Sequence, residues 1–223
     1  MPAAIWSGRN ATPEQTAVDL TTALGDELGL TAPPLAMTLP AESTGVPAGS
    51  LLPPRARFSG MPVPTHCFLY VDAQSPRRFE LRASVLTGRS GIRRSLGLGH
   101  LLYAVPLVPK VPSAVELSTP SGATSAHFEG DPATAERLNR NTQLLDAARA
   151  LTPTTAGPDR NHTWQVARRL AIEPLPGSPE GSVLLVQTLH RPTDRAWSLR
   201  AAAVLDFATR VETALGWHPD ALG

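Results

Sequence analysis

The sequence predicts an α+β fold, in which antiparallel strand meanders pack with an N-terminal helix, a two-helix insert and a long C-terminal helix. Residues Arg78–Val85 alternate apolar and polar side chains, which is the period of a half-buried strand. Residues Asp194–Leu215 instead repeat apolar side chains at helical spacing. With 223 residues, 42% of them hydrophobic, the chain is long enough to bury a sizeable core.

The first 54 residues predict one helix followed by a connection. Thr12-Pro13 with Gln15 forms a capping box that has proline at the first helical position, which predicts a helix over residues 13–28. Residues 31–54 then carry six prolines and two glycines around the apolar patch Leu35–Leu39. This composition predicts a loop with one short strand at most.

The next part of the chain predicts a basic strand meander. Its strands are predicted over Arg55–Phe58, Thr65–Val71, Arg78–Val85 and Leu101–Val105. Pro106, Pro109 and Pro112 follow at a spacing that forces an extended connection. We therefore predict two lobes, residues 1–110 and 111–223, with one continuous domain as the alternative.

The second lobe predicts a hairpin, two helices, two strands and a closing helix. Asp131-Pro132 and Asn141-Thr142 are helix-capping residues followed by helical patterns, and Gly216 ends the last helix. These elements are predicted over Ala114–Ser118, Ser125–Glu129, Pro132–Leu138, Thr142–Leu151, Trp164–Ile172, Val183–His190 and Asp194–Leu215.

This second half of the chain resembles a group of uncharacterised bacterial α+β domains of unknown function. The resemblance is carried by Phe128-Glu129-Gly130-Asp131, by Leu138 and by the helical run Leu144–Leu151. Those domains combine paired strands, a two-helix insert, further strands and a closing helix. The resemblance implies a fold and assigns no functional residue.

Charge is distributed unevenly along the chain, although the formal net charge is only +1. Residues 1–54 carry a net charge of −4, residues 55–110 carry +7, and residues 111–223 carry −2. Nineteen of the twenty basic residues are arginine, which indicates a GC-rich bacterial genome. The basic middle predicts a surface for phosphate, nucleic acid or an acidic partner. In the alternative, the acidic N-terminal helix covers this region and neutralises it.

The candidate binding site is one face of the third predicted strand together with the turn that follows it. Its residues are Arg78, Arg82, Gly88, Arg89, Gly91, Arg93 and Arg94. The two glycines allow backbone amides to approach an anion, and Arg89, Arg93 and Arg94 supply forked donors suited to phosphate. The turn resembles the G-x-x-G loop of KH-type RNA-binding domains, but here a strand precedes it, whereas a KH loop joins two helices. The alternative is a solvated arginine-rich turn.

Other residues predict no catalytic, metal or cofactor site. A single cysteine, Cys67, allows no internal disulfide, and the six histidines lack metal-ligand spacing. His127 and Asp131 suggest an acid–base pair, but Asp131 is better explained as a helix cap.

We therefore predict a non-catalytic binding or adaptor protein of the bacterial cytosol, with an acidic protein or nucleic acid as its partner. Two alternatives stay open: a nucleic-acid-binding protein that uses the same arginines, and a small enzyme with an undetected site. We also expect no signal peptide and no transmembrane segment, and leave a homo-oligomer open.

Overall fold

The computed structural model describes residues 35–38, 51, 66–74, 76–87, 96–118, 126–152, 169–175, 177, 181–190 and 197–217. The predicted N-terminal helix over residues 13–28 and the predicted strand over residues 55–58 lie outside the described residues.

The described part of the chain forms one eight-stranded antiparallel sheet and three helices. The strands are β1 (Leu35–Thr38), β2 (His66–Ala73), β3 (Phe79–Thr87), β4 (Leu96–Leu107), β5 (Val115–Ser118), β6 (His127–Gly130), β7 (Arg169–Pro174) and β8 (Ser182–His190). The helices are α1 (Pro132–Asn139), α2 (Thr142–Leu151) and α3 (Trp197–Ala214). The predicted α+β class is therefore confirmed.

The strands follow the order β1-β2-β3-β4-β8-β7-β5-β6, so β4 and β8 pair in the middle of the sheet. Strands from either side of residue 110 thus share backbone hydrogen bonds. Strand β4 begins at Leu96, not at Leu101 as the sequence predicts. Gly97 and Gly99 weaken a strand pattern locally, but pairing with β3 and β8 holds this stretch extended.

All three helices contribute to one core on one face of the sheet. On that face, Leu81, Tyr103, Val186 and Leu170 follow one another across β3, β4, β8 and β7. They belong to the same buried cluster as the helix residues Leu138, Leu144, Ala201, Val204, Phe207, Ala208 and Val211. The apolar stripe predicted for the last helix is therefore a core element.

Edge strand β6 is tied to helix α1 by a side-chain amide. Asn139 accepts a hydrogen bond from Phe128 N–H at 2.7 Å and donates one to Phe128 C=O at 2.9 Å, as a neighbouring strand would. The turn between β6 and α1 requires glycine. Gly130 has φ +127°, and a Cβ there would lie 2.2 Å from the carbonyl oxygen of Ala114.

Helix α3 is fixed to the sheet by a buried ion pair near its end. Arg77 donates two hydrogen bonds of 2.9 Å to the carboxylate of Glu212, which is 1% exposed. The same carboxylate accepts a bond from Val108 N–H at 3.0 Å, while Arg77 also donates to Pro106 C=O. One residue of α3 therefore holds both the turn before β3 and the end of β4.

Replacing Val204 with aspartate should lower the free energy of unfolding by roughly 3 to 5 kcal/mol or prevent folding, because Val204 is fully buried and the new charge has no partner. Thermal and denaturant melts measure the loss. Ala203→Asp, on the exposed side of the same helix, is the matched control and should cost far less. An equal effect of both substitutions would contradict the core assignment.

Replacing Arg77 with methionine should lower the free energy of unfolding by about 2 to 4 kcal/mol, because Glu212 then lacks its cation. Adding Glu212→Met should restore part of that stability, since the double variant leaves no buried charge at this point. Denaturant melts of the single and double variants form the test, with Arg210→Ala as the control for an exposed pair. A double variant less stable than Arg77→Met would refute this account.

Candidate functional site

The two described arginines of the predicted binding site lie beside a buried carboxylate. Arg78 keeps 37% of its side chain exposed, and its Nη2 lies 3.5 Å from Oε1 of Glu80. Arg82 is only 6% exposed, although the strand pattern predicts a solvated position. The reason is that this face of β3, opposite the helices, is itself covered.

The remaining predicted site residues, Gly88, Arg89, Gly91, Arg93 and Arg94, lie outside the described residues. The chain on either side of them is described. Thr87 at the end of β3 pairs with Leu96 at the start of β4, so residues 88–95 connect two neighbouring strand ends. We call these eight residues the arginine connection. Its role in binding stays a prediction.

The face of the sheet opposite the helices, which we call the polar face, carries buried polar side chains beside apolar ones. Glu80, Arg82 and Gln187 are 0%, 6% and 2% exposed. The register places Glu80, Ala104, Leu185, Ala171, Glu116 and Glu129 in one row across the sheet. The adjacent row holds Arg82, Leu102, Gln187 and Arg169.

Leu51 covers part of this polar face. Its backbone N–H donates a hydrogen bond of 2.5 Å to Oε1 of Glu80, and its side chain is only 4% exposed. The side chain belongs to a second apolar cluster, separate from the main core, with Leu102, Ala104, Ala171, Val183 and Leu185. We call Glu80 together with this cluster the Leu51 site.

The acidic residues described near strand β3 lie at its start, together with Arg77 and Arg78. Glu80 pairs across strands with Asp72 near the start of β3, and no acidic residue occurs between Glu80 and Glu116 in the sequence. The strand from Glu80 to Thr87 spans roughly 23 Å, since each residue adds about 3.3 Å. The arginine connection therefore follows the strand end that is far from Glu80.

A second group of charges lies on β5, β6 and β7, at the other side of the sheet. Arg169 contacts both Glu116 and Glu173, and His127 lies 2.6 Å from Glu129. These pairs are partly exposed, so each contributes little to stability. The described residues contain no group of three or more metal-ligating side chains.

Asp131 is a helix cap, as predicted, and not the partner of His127. Its Oδ1 accepts hydrogen bonds from the N–H and the hydroxyl of Thr134, at 2.9 and 2.6 Å. These bonds, the one from the Thr134 hydroxyl above all, hold the pKa of Asp131 below its usual value.

Sequence reasoning did not find the Leu51 site. Leu51 lies in a proline-rich stretch that the sequence predicts as a loop, and Glu80 lies between Arg78 and Arg82 on the polar side of a predicted strand. One signal could have drawn attention to Leu51: Leu51 and Leu52 are adjacent apolar residues within a proline-rich stretch.

Comparison with known proteins gives no relative, since no family model, curated protein or solved structure matches the chain. Among the described helices, none combines the length and the apolar character needed to cross a membrane.

Replacing Asp131 with asparagine should lower the free energy of unfolding at neutral pH, and this loss should be smaller in acid. A carboxylate whose folded-state pKa is lowered contributes stability above its unfolded pKa and loses it as pH falls through the folded value. The difference in unfolding free energy between the two proteins should therefore shrink between about pH 6 and about pH 3. Denaturant melts across this range measure it, and a constant difference would contradict the capping role of the charge.

Proposed function

We propose that this chain is a non-catalytic binding protein of the bacterial cytosol whose arginine connection binds an acidic surface on a partner protein. One observation carries the proposal: the arginine connection follows a strand end whose neighbouring sequence, from Glu80 to Glu116, is free of acidic residues. Positive charge that has no nearby acid attracts an anionic partner.

The acidic side chains described near β3 do not neutralise this end. The carboxylate of Glu80 accepts a hydrogen bond from Leu51 and lies beside Arg78, and Glu212 is bound by Arg77. Glu80 is also roughly 23 Å along the strand from Thr87, which exceeds the screening length of about 8 Å at physiological salt. These described carboxylates therefore do not neutralise the strand end that leads into Arg89, Arg93 and Arg94.

Arg78 and Arg82 have different parts in this proposal. Arg78 is half-buried and Arg82 almost fully buried, so neither offers a forked donor on a free surface. They add to the positive potential of β3, while contact with the partner falls to Gly88, Arg89, Gly91, Arg93 and Arg94.

The sequence around the connection favours protein over single-stranded nucleic acid as the partner. No aromatic residue occurs between Phe79 and Tyr103, and proteins that hold single strands stack bases on aromatic side chains. Ile92 lies between Arg89 and Arg93 instead, and Leu96 follows the last arginine. Such a mixture suits a protein surface, where apolar contacts accompany charge pairing.

The test replaces Arg89, Arg93 and Arg94 together with alanine. Poly-L-glutamate serves as the acidic probe, and mixed-sequence DNA and RNA serve as nucleic-acid probes, each titrated at several salt concentrations. We expect at least a tenfold loss of poly-L-glutamate binding and a melting temperature within about 2 °C of the parent, because exposed charges stabilise little.

The matched control replaces Arg137, Arg140 and Arg149, which removes the same charge from the helices. It should leave binding nearly unchanged. Tighter binding of DNA or RNA, with affinity falling steeply as salt rises, would favour the nucleic-acid alternative. A clear fall in melting temperature without loss of binding would show that the arginines pair within the chain, and would refute the proposal.

A further inference from the structure

We infer that Lys110 is a modification site, at which the side-chain amine accepts an acyl group from an acyl thioester. Lys110 lies on the segment that joins β4 to β5, residues 108–114, which we call the lysine loop. This inference concerns the surface of that loop and does not rest on the proposed role of the arginine connection.

Lys110 is the only lysine of the chain, and the other nineteen basic residues are arginines. Described arginines, among them Arg77, Arg140 and Arg169, pair with carboxylates. Arginine therefore supplies the charge pairing of this protein. Lysine differs from arginine in its chemistry, because its amine becomes a nucleophile when it loses a proton, whereas the guanidinium group keeps its proton. Acylation is a reaction that Lys110 can undergo and that the arginines cannot.

Both neighbours of Lys110 in the chain are fixed to the sheet by one side chain. The hydroxyl of Ser182, at the start of β8, donates a hydrogen bond of 2.8 Å to Pro109 C=O and accepts one of 2.8 Å from Val111 N–H. The Val111 side chain is only 1% exposed, whereas Lys110 itself is exposed. The folded chain therefore presents Lys110 at a defined point of the surface, and an acyl donor can reach it without unfolding.

The surroundings of Lys110 contain no acid that binds its amine. Lys110 is the only residue with a formal charge between Arg94 and Glu116 in the sequence. Glu212, which accepts a hydrogen bond from Val108 N–H in the same loop, is already bound by Arg77. Within the described part of the chain, no carboxylate forms an ion pair with Lys110. No described carboxylate therefore competes with an acyl donor for the amine.

The reaction is a substitution at the acyl carbon. The neutral Nζ of Lys110 attacks the carbonyl carbon of the thioester, so that a C–N amide bond forms and the C–S bond breaks. The thiolate leaves, and the proton lost by the nitrogen passes to solvent. The thioester is the only co-reactant, and nothing is oxidised or reduced. The product carries no charge at this position.

Acylation changes the lysine loop from a charged surface to an apolar one. Val108 is 56% exposed and is the exposed large apolar residue of the described chain. Pro109 and Pro112 lie on either side of Lys110 in the sequence. Once the charge of Lys110 is removed, these residues and the acyl group form one neutral apolar segment. Such a segment suits contact with another protein.

The experiment compares Lys110 with a second exposed lysine in the same molecule. Arg140→Lys places an amine on helix α1, where the residue at this position pairs with Glu136. The full-length variant is isolated from the cells that naturally make this protein, and peptide mass spectrometry measures acylation at each lysine. We expect an acyl group on Lys110 in a several-fold larger fraction of molecules than on the lysine at position 140. Equal fractions, or no acyl group on Lys110, would overturn the inference.

A reaction with purified protein tests whether the fold exposes the amine. The full-length parent chain and a synthetic peptide of residues 106–114 are each treated with acetyl-coenzyme A, and mass spectrometry follows acetylation of the lysine. We expect similar rates, because the described structure leaves Lys110 exposed and without an ion pair. A reaction tenfold slower in the folded chain would overturn the inference.

Lys110→Arg is the control for structure and for the position of the acyl group. It keeps the charge, so the melting temperature should stay within about 2 °C of the parent. This variant should carry no acyl group on any side-chain amine, since it contains no lysine. Alanine at Arg89, Arg93 and Arg94 should leave acylation of Lys110 unaltered, which separates this inference from the proposed function.

Discussion

The buried carboxylate of Glu212 holds together three parts of the chain that are far apart in sequence. It accepts two bonds from Arg77, before β3, and one from Val108, just after β4, while being part of helix α3. These hydrogen bonds therefore fix the position of helix α3 on one face of the sheet. The three helices share one core with that face. The opposite face carries a second, separate apolar cluster, which includes Leu51.

The elements that could be predicted from sequence are those whose signals are local. Asp131 and Asn141 cap α1 and α2 through hydrogen bonds to residues three positions later, so the pattern lies within one helical turn. The buried stripe of α3, with Val204 and Val211, likewise repeats at a period visible in the sequence. Local capping and periodicity were sufficient for the α+β class.

What the sequence could not predict depends on pairing between distant strands. The start of β4 contains two glycines and has no strand pattern of its own, so its extension to Leu96 comes from β3 and β8. The alternation of apolar and polar residues in β3 predicts that Arg82 is solvated. Arg82 is buried because the polar face of the sheet is covered. Leu51 is the clearest case, because its partner Glu80 is distant in sequence and no periodicity connects the two.

Two consecutive arginines just before β3 lie beside carboxylates on opposite faces of the sheet. Arg77 binds Glu212 on the helix side, whereas Arg78 lies beside Glu80 on the polar side. Two buried carboxylates thus receive consecutive cations at the start of β3, and the end of β3 leads into residues 88–95, which contain three arginines and no acidic residue in the sequence. Since roughly 23 Å of strand separates the two ends and salt screens charges over about 8 Å, substitutions at one end should leave the energetics of the other unchanged. Strand β3 therefore connects an end where two carboxylates are paired with arginines to a segment that contains three arginines and no acid in its sequence, and the two can be altered independently.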